Sequence, residues 1–120
     1  MIVCALAAPQ DCRNGNCPTV WDTDAGTLVV QGYVLEPGAV TVPADLIRRA
    51  AASIGRRAGA WSLPRFGEAT MTADGSCIVR GKHETPDVLG LPMPRGEAAV
   101  EVSPDVLLDV LADHEIEKVA

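Results

Sequence analysis

Two hydrophobic periods alternate along this chain, and each change of period marks an element. Thr27 to Leu35 is a Val-rich run, and Val40-Thr41-Val42 alternates apolar with polar, so both read as strands. From Pro43 the period lengthens: Leu46, Ile47, Ala50, Ala51 and Ile54 fall on one stripe of a helix that ends at Gly55 or runs on to Arg57. Pro suits the first helical position, where its missing N–H costs nothing. Asp24-Ala25-Gly26 predicts a three-residue hairpin loop with Gly26 left-handed, and Glu36-Pro37-Gly38 a second turn. Met1 to Ala8 reads as an N-terminal strand, followed by a polar loop over 9–17 and a strand over Thr19-Val20-Trp21.

The same order then recurs. Residues 58–65 read as a linker, and Glu68 to Met71 as a strand. Ala73-Asp74-Gly75 repeats the hairpin loop, with Ser76 to Lys82 as the return strand. Residues 83–96, rich in Pro and Gly, read as a loop, and Glu97 to Val102 as a third strand. Ser103 is placed to cap a helix that has Pro104 at its first position and Val106, Leu107, Val110 and Leu111 on its buried stripe. These stripe residues share the phase of Leu46, Ile47, Ala50 and Ala51. The expected fold is therefore α+β: an internally duplicated strand-strand-strand-helix unit, residues 18–57 and 67–114, packed about a pseudo-twofold axis in one domain of residues 1–120. Each unit alone is too small to bury its apolar face, and stacking two buries it.

Composition sharpens this. Nearly half of the 120 residues, 48%, are apolar, enough for a core, but Trp21, Tyr33, Trp61 and Phe66 are the only aromatics, so Val, Leu, Ile and Ala must fill it. The net charge of −6 argues against nonspecific binding of nucleic acid or membrane by the whole surface and suits a cytoplasmic protein. The opening residues lack the basic region of a signal peptide, and no apolar run approaches a membrane span.

Few residues offer chemistry. No Gly-x-Ser-x-Gly, His-Glu-x-x-His or phosphate-binding glycine loop occurs, and His83 and His114 are the only histidines, so no enzymatic activity is expected. Cys12 and Cys17 bracket the Asn14-Gly15 turn at the wide end of zinc-pair spacing, with Cys77 and His83 as the further candidate ligands. Against zinc, Cys4 and Cys77 read as small core residues. Charge is unevenly placed. Arg48, Arg49, Arg56 and Arg57 give the first helix a basic face, extended by Arg65, whereas Glu97, Glu101, Asp105, Asp109, Asp113, Glu115 and Glu117 make the C-terminal end acidic. The arginines are the candidate partner-binding residues.

Cys17 to Gly32, reading Cys-Pro-Thr-Val-Trp-Asp-Thr-Asp-Ala-Gly-Thr-Leu-Val-Val-Gln-Gly, together with Gly96 to Val102, resembles small actinobacterial proteins met beside helix-turn-helix regulators. That resemblance covers about a third of the chain and implies a regulatory accessory role with a helix-turn-helix partner. Val40-Thr41-Val42-Pro43-Ala44-Asp45-Leu46-Ile47-Arg48 also resembles the strand-Pro-helix element of swapped-hairpin transcription factors and antitoxins. In that family, arginines near this helix contact DNA. Here Leu108 and Asp109 stand in the second copy where Arg48 and Arg49 stand in the first. The expectation is a small regulatory protein, homodimeric and acting through protein contacts. A swapped-hairpin DNA-binding or antitoxin-like regulator is the alternative, and a zinc-stabilised module the third reading.

Overall fold

The computed structural model describes residues 3–7, 18–55, 65–85, 90 and 96–110. In chain order the elements are β1 (Val3–Ala7), β2 (Thr19–Thr23), β3 (Leu28–Glu36), β4 (Ala39–Pro43), α1 (Ala44–Gly55), β5 (Glu68–Met71), β6 (Ser76–Arg80), β7 (Lys82–Glu84), β8 (Glu97–Val102) and a second helix, α2 (104–110). Among the described residues the fold is α+β, with one antiparallel sheet and two helices.

Two tight turns start the hairpins β2–β3 and β5–β6. In the first, the Thr23 hydroxyl accepts from the amides of Ala25 and Thr27, both at 3.2 Å, and Gly26 has φ 80°. In the second, the Thr72 hydroxyl accepts from the Ser76 amide at 3.2 Å, and Gly75 has φ 87°. Both glycines occupy the left-handed region that other residues enter at a cost, as the two loop sequences require.

The sheet runs β1-β2-β3-β4-β6-β5, with β8 branching from β3 and carrying β7. The branch arises because β3 is long and serves three partners. Its first half pairs with β2 on one edge, from Leu28 to Gln31, and its second half with β4 on the same edge, through Tyr33 and Val34. The opposite edge takes β8, from Leu28↔Val102 to Tyr33↔Glu97. In the same way β6 lies between β5 and β4, and after Gly81 the chain continues as β7 along β8. Each third strand therefore pairs both within its own segment and with the other segment's hairpin: β4 with β3 and β6, β8 with β7 and β3.

Glycines sit where strands change partner. A Cβ on Gly32 would lie 2.5 Å from Val42 Cγ1 and 2.7 Å from the Thr41 carbonyl oxygen. A Cβ on Gly81 would lie 2.7 Å from Val102 Cγ1 and overlap the Glu101 carbonyl oxygen. No other residue type fits there without moving backbone.

One core joins all of this. Val20, Leu28 and Val30 meet Val40, Val42, Cys77, Val79, Val100 and Val102 under the stripes of both helices. Leu46, Ile47, Ala50, Ala51 and Ile54 of α1 are buried, as their spacing predicts, and so are Val106, Leu107 and Val110 of α2. Leu111 lies outside the described residues. Ser103 differs from expectation. Its hydroxyl accepts from the Phe66 amide at 2.9 Å and donates to the Phe66 carbonyl at 3.1 Å. The side chain thus ties the start of α2 to the segment leading into β5.

Candidate functional site

β8 alternates between two environments. Ala98, Val100 and Val102 face the core, so Glu97, Ala99 and Glu101 face the other side of the sheet. Register then gathers polar side chains around Ala99. Its lateral partners are Gln31 on β3 and Glu84 on β7. Glu97 and Glu101 flank it along β8, and Val29 and Lys82 stand on either side of Glu101. Four polar side chains, Gln31, Glu84, Glu97 and Glu101, thus surround one small residue.

Burial makes this cluster unusual. Gln31 is 2% exposed, Glu84 5% and Glu101 6%, although charged side chains are rarely enclosed unless they are paired. Partners satisfy part of it. Thr27 donates from Oγ1 to Glu101 Oε2 at 2.5 Å, and the Trp21 indole N–H donates to Gln31 Oε1 at 3.3 Å. The Lys82 ammonium stands 3.8 Å from Glu84 Oε1. Among the described residues, Gln31 Nε2, Glu84 Oε1 and Glu97 Oε1 are buried without a hydrogen bond. The indole fixes the amide orientation of Gln31, turning its NH₂ away from Trp21.

Proton affinities follow. Burial raises the pKa of Glu84, as do its hydrogen bond to Glu101 and the charge there, while Lys82 and His83 oppose the rise. Burial also raises Glu97, with the Gln31 amide opposing it. Glu84 and Glu97 therefore hold their protons more firmly than free carboxyls do.

The residues singled out from sequence lie elsewhere. Cys77 is fully buried in the core and its thiol is a free one, with its pKa pushed up to about 11 by burial. His83 is exposed on β7. Cys12 and Cys17 lie outside the described residues, and among the described residues no group of three His, Cys, Asp or Glu side chains is placed to hold a metal ion. A testable consequence follows for Cys77. With Cys4, Cys12 and Cys17 replaced by Ser, a thiol reagent such as DTNB reacts with Cys77 only at the rate of unfolding. Labelling at the rate of a free thiol in the folded protein would contradict the enclosure.

Arg48 and Arg49 are half-buried on α1, and both are engaged. The Arg49 guanidinium lies 3.3 Å from Asp45, one turn back. Arg56 and Arg57 lie outside the described residues. Arg65 pairs with Asp109 of α2, joining the basic and acidic stretches. Among the described residues no helix is long and apolar enough to cross a membrane. No family model matches the chain, and no curated protein or solved structure matches it either.

The polar cluster escapes sequence reading because three strands, β3, β7 and β8, supply it. Two signals were present. Glu97 and Glu101, with Ala99 between them, must share a face of any strand there, and Gln31 interrupts an apolar run.

Proposed function

We propose that this chain is a non-enzymatic regulatory protein that acts through protein contacts as a homodimer. The observation that carries this reading is an exposed apolar run at the far end of β3: Tyr33 is 52% exposed, Val34 49% and Leu35 53%. Single exposed hydrophobics are ordinary, but three in succession on one strand favour an interface. Arg80 paired with Glu36 borders the patch and would set orientation on docking. A helix-turn-helix regulator is the partner class in keeping with the sequence resemblance.

Internal duplication belongs to the same proposal, and the strand registers support it. Adding 49 to a β3 number and subtracting 60 from its β8 partner turns Leu28↔Val102 into Cys77↔Val42 and Val30↔Val100 into Val79↔Val40, both of which are pairs in the sheet. The same offsets turn Tyr33↔Thr41 into Lys82↔Glu101, and 49 alone turns Trp21↔Val29 into Thr70↔Ile78. Under this correspondence Tyr33, Val34 and Leu35 answer to Lys82, His83 and Glu84. The two ends differ in polarity: one presents apolar side chains to solvent, and the other is polar and buries a carboxylate. Divergence of that kind suits a protein whose first unit has become the docking end.

Sedimentation tests the dimer. Wild-type protein is expected to dimerise, and Leu35→Glu to weaken the dimer by about tenfold or more with the fold intact by circular dichroism. A wild type that stays monomeric at high concentration sinks the homodimer.

One observation favours a second reading. The interleaving of β4 and β8 between hairpins is what a swapped-hairpin DNA-binding or antitoxin-like regulator would need, with Arg48, Arg49, Arg56 and Arg57 as the basic face. Tight, salt-sensitive duplex binding in a gel shift, lost in an Arg49→Ala, Arg56→Ala double variant, would favour it over the first.

A further inference from the structure

We propose that the polar ring around Ala99 is a binding site for a guanidinium group, entered past Trp21 and Glu97. Two independent observations carry this. The first is the set of carboxylates, Glu84, Glu97 and Glu101, brought to one face of the sheet by the registers of β3, β7 and β8. The second is that the site is unsatisfied. Gln31, 98% enclosed, leaves its Nε2 without a partner, and Glu84 and Glu97 each leave an Oε1 without one. Buried polar atoms in a folded protein are almost always bonded, so three on one patch mark a place made for something else.

The chemistry selects the occupant. Three carboxylates in one enclosure call for positive charge, and Lys82, the lysine beside them among the described residues, stands at 3.8 Å from Glu84 with its own side chain mostly in solvent. A guanidinium is planar, presents paired donors to carboxylate oxygens and sheds water more readily than an ammonium. Trp21, half-buried on β2 and anchored by its bond to Gln31, offers a flat face for such a cation at the rim. A divalent metal fits less well, since no group of three ligating side chains is placed for one among the described residues.

The proton balance gives a signature. Without ligand, Glu84 holds its proton more firmly than a free carboxyl, with Lys82 and His83 on the same strand, Glu97 and Glu101 on β8 and the Thr27 hydroxyl around it. A guanidinium that enters supplies the positive charge and lowers the proton affinity of Glu84, whose proton, where present, leaves to solvent. Binding therefore releases up to one proton and tightens as pH rises through the raised carboxyl range.

The inference stands apart from the dimer reading, because it rests on Gln31, Glu84, Glu97 and Glu101 and not on the exposed apolar run, although Glu97 lies beside Tyr33 across β3 and β8. The test uses the full chain carrying Trp61→Phe, so that Trp21 is the only indole. Agmatine is titrated at constant ionic strength, with sodium chloride and magnesium chloride as controls, and calorimetry in two buffers counts protons. The expected result is a saturable change in Trp21 emission, proton release, and affinity lowered about tenfold in both Glu84→Gln and Glu97→Gln. Glu97 is half-buried, so its variant serves if Glu84→Gln does not fold. Comparing free L-arginine with N-acetyl-argininamide separates sources: tighter binding of the blocked compound identifies a protein side chain, and of the free one a metabolite. A response no different from sodium chloride, tighter binding of magnesium, or affinity unchanged in both variants overturns the proposal.

Discussion

Gly81→Ala destabilises the protein by about 3 kcal/mol, and Gly32→Ala by a similar amount. At each position the added Cβ meets a valine methyl and a backbone carbonyl of the crossing strand, Val42 and Thr41 for Gly32, Val102 and Glu101 for Gly81. Neither obstacle yields easily. The valines are fully packed in the core, and the carbonyls belong to strands bonded on both sides. Relief requires parting two strands where four are joined. Urea denaturation measures the effect, with Gly75→Ala as the comparison. Nothing lies within 4 Å of a Cβ there, so only the strain of φ 87° remains, roughly 1 kcal/mol. A Gly81→Ala cost no greater than that of Gly75→Ala would mean that β7 and β8 do not approach as described.

Stability also falls as pH rises out of the acid range, and Glu84→Gln removes part of that fall. The unfolded side chain ionises near its ordinary value of 4.5, whereas in the folded protein its pKa is raised. Below 4.5 both states hold the proton and nothing is lost. Between the two values the unfolded chain has released a proton that the native state retains, so stability declines with pH, and above the folded value it levels off. Glu97 is raised as well and contributes in the same sense. Asp74 works the other way, since the Thr72 hydroxyl lowers its pKa, and its contribution is lost only in stronger acid. The informative quantity is the difference between wild type and Glu84→Gln. It is near zero at pH 4 and favours the variant at pH 8, on the order of 1 kcal/mol for a buried carboxylate oxygen without a partner. Parallel pH profiles for the two proteins would contradict the burial of Glu84.

Local pattern carried much of this fold. The period-two run ending at Pro43 and the stripe from Leu46 to Ile54 became β4 and α1 within a residue, because each depends on neighbours in sequence. The two Gly-ended hairpin loops were legible for the same reason: left-handed backbone has few solutions other than glycine. What stayed hidden depends on distant partners. His83-Glu84 is polar and leads towards a proline, so it reads as loop, and Lys82 as the end of the preceding strand, yet all three form β7 because β8 offers them an edge. Ser103 resembles a cap by position, but Phe66 stands close enough to take its hydroxyl. The polar ring was the least legible, since Gln31 and Glu84 come together only across Ala99.

The sharing of β3 among three partners has a consequence for how the chain comes to be folded during synthesis. Leu28 to Gln31 can form its hairpin with β2 soon after it is made, but the edge that takes β8 must wait for residues 97–102. Until then a Val-rich strand offers unpaired amides and carbonyls to any extended chain nearby. The last pairings also close the longest loops and come late on that account. A ribosome that pauses before Glu97 would leave that edge of β3 uncovered for as long as the pause lasts.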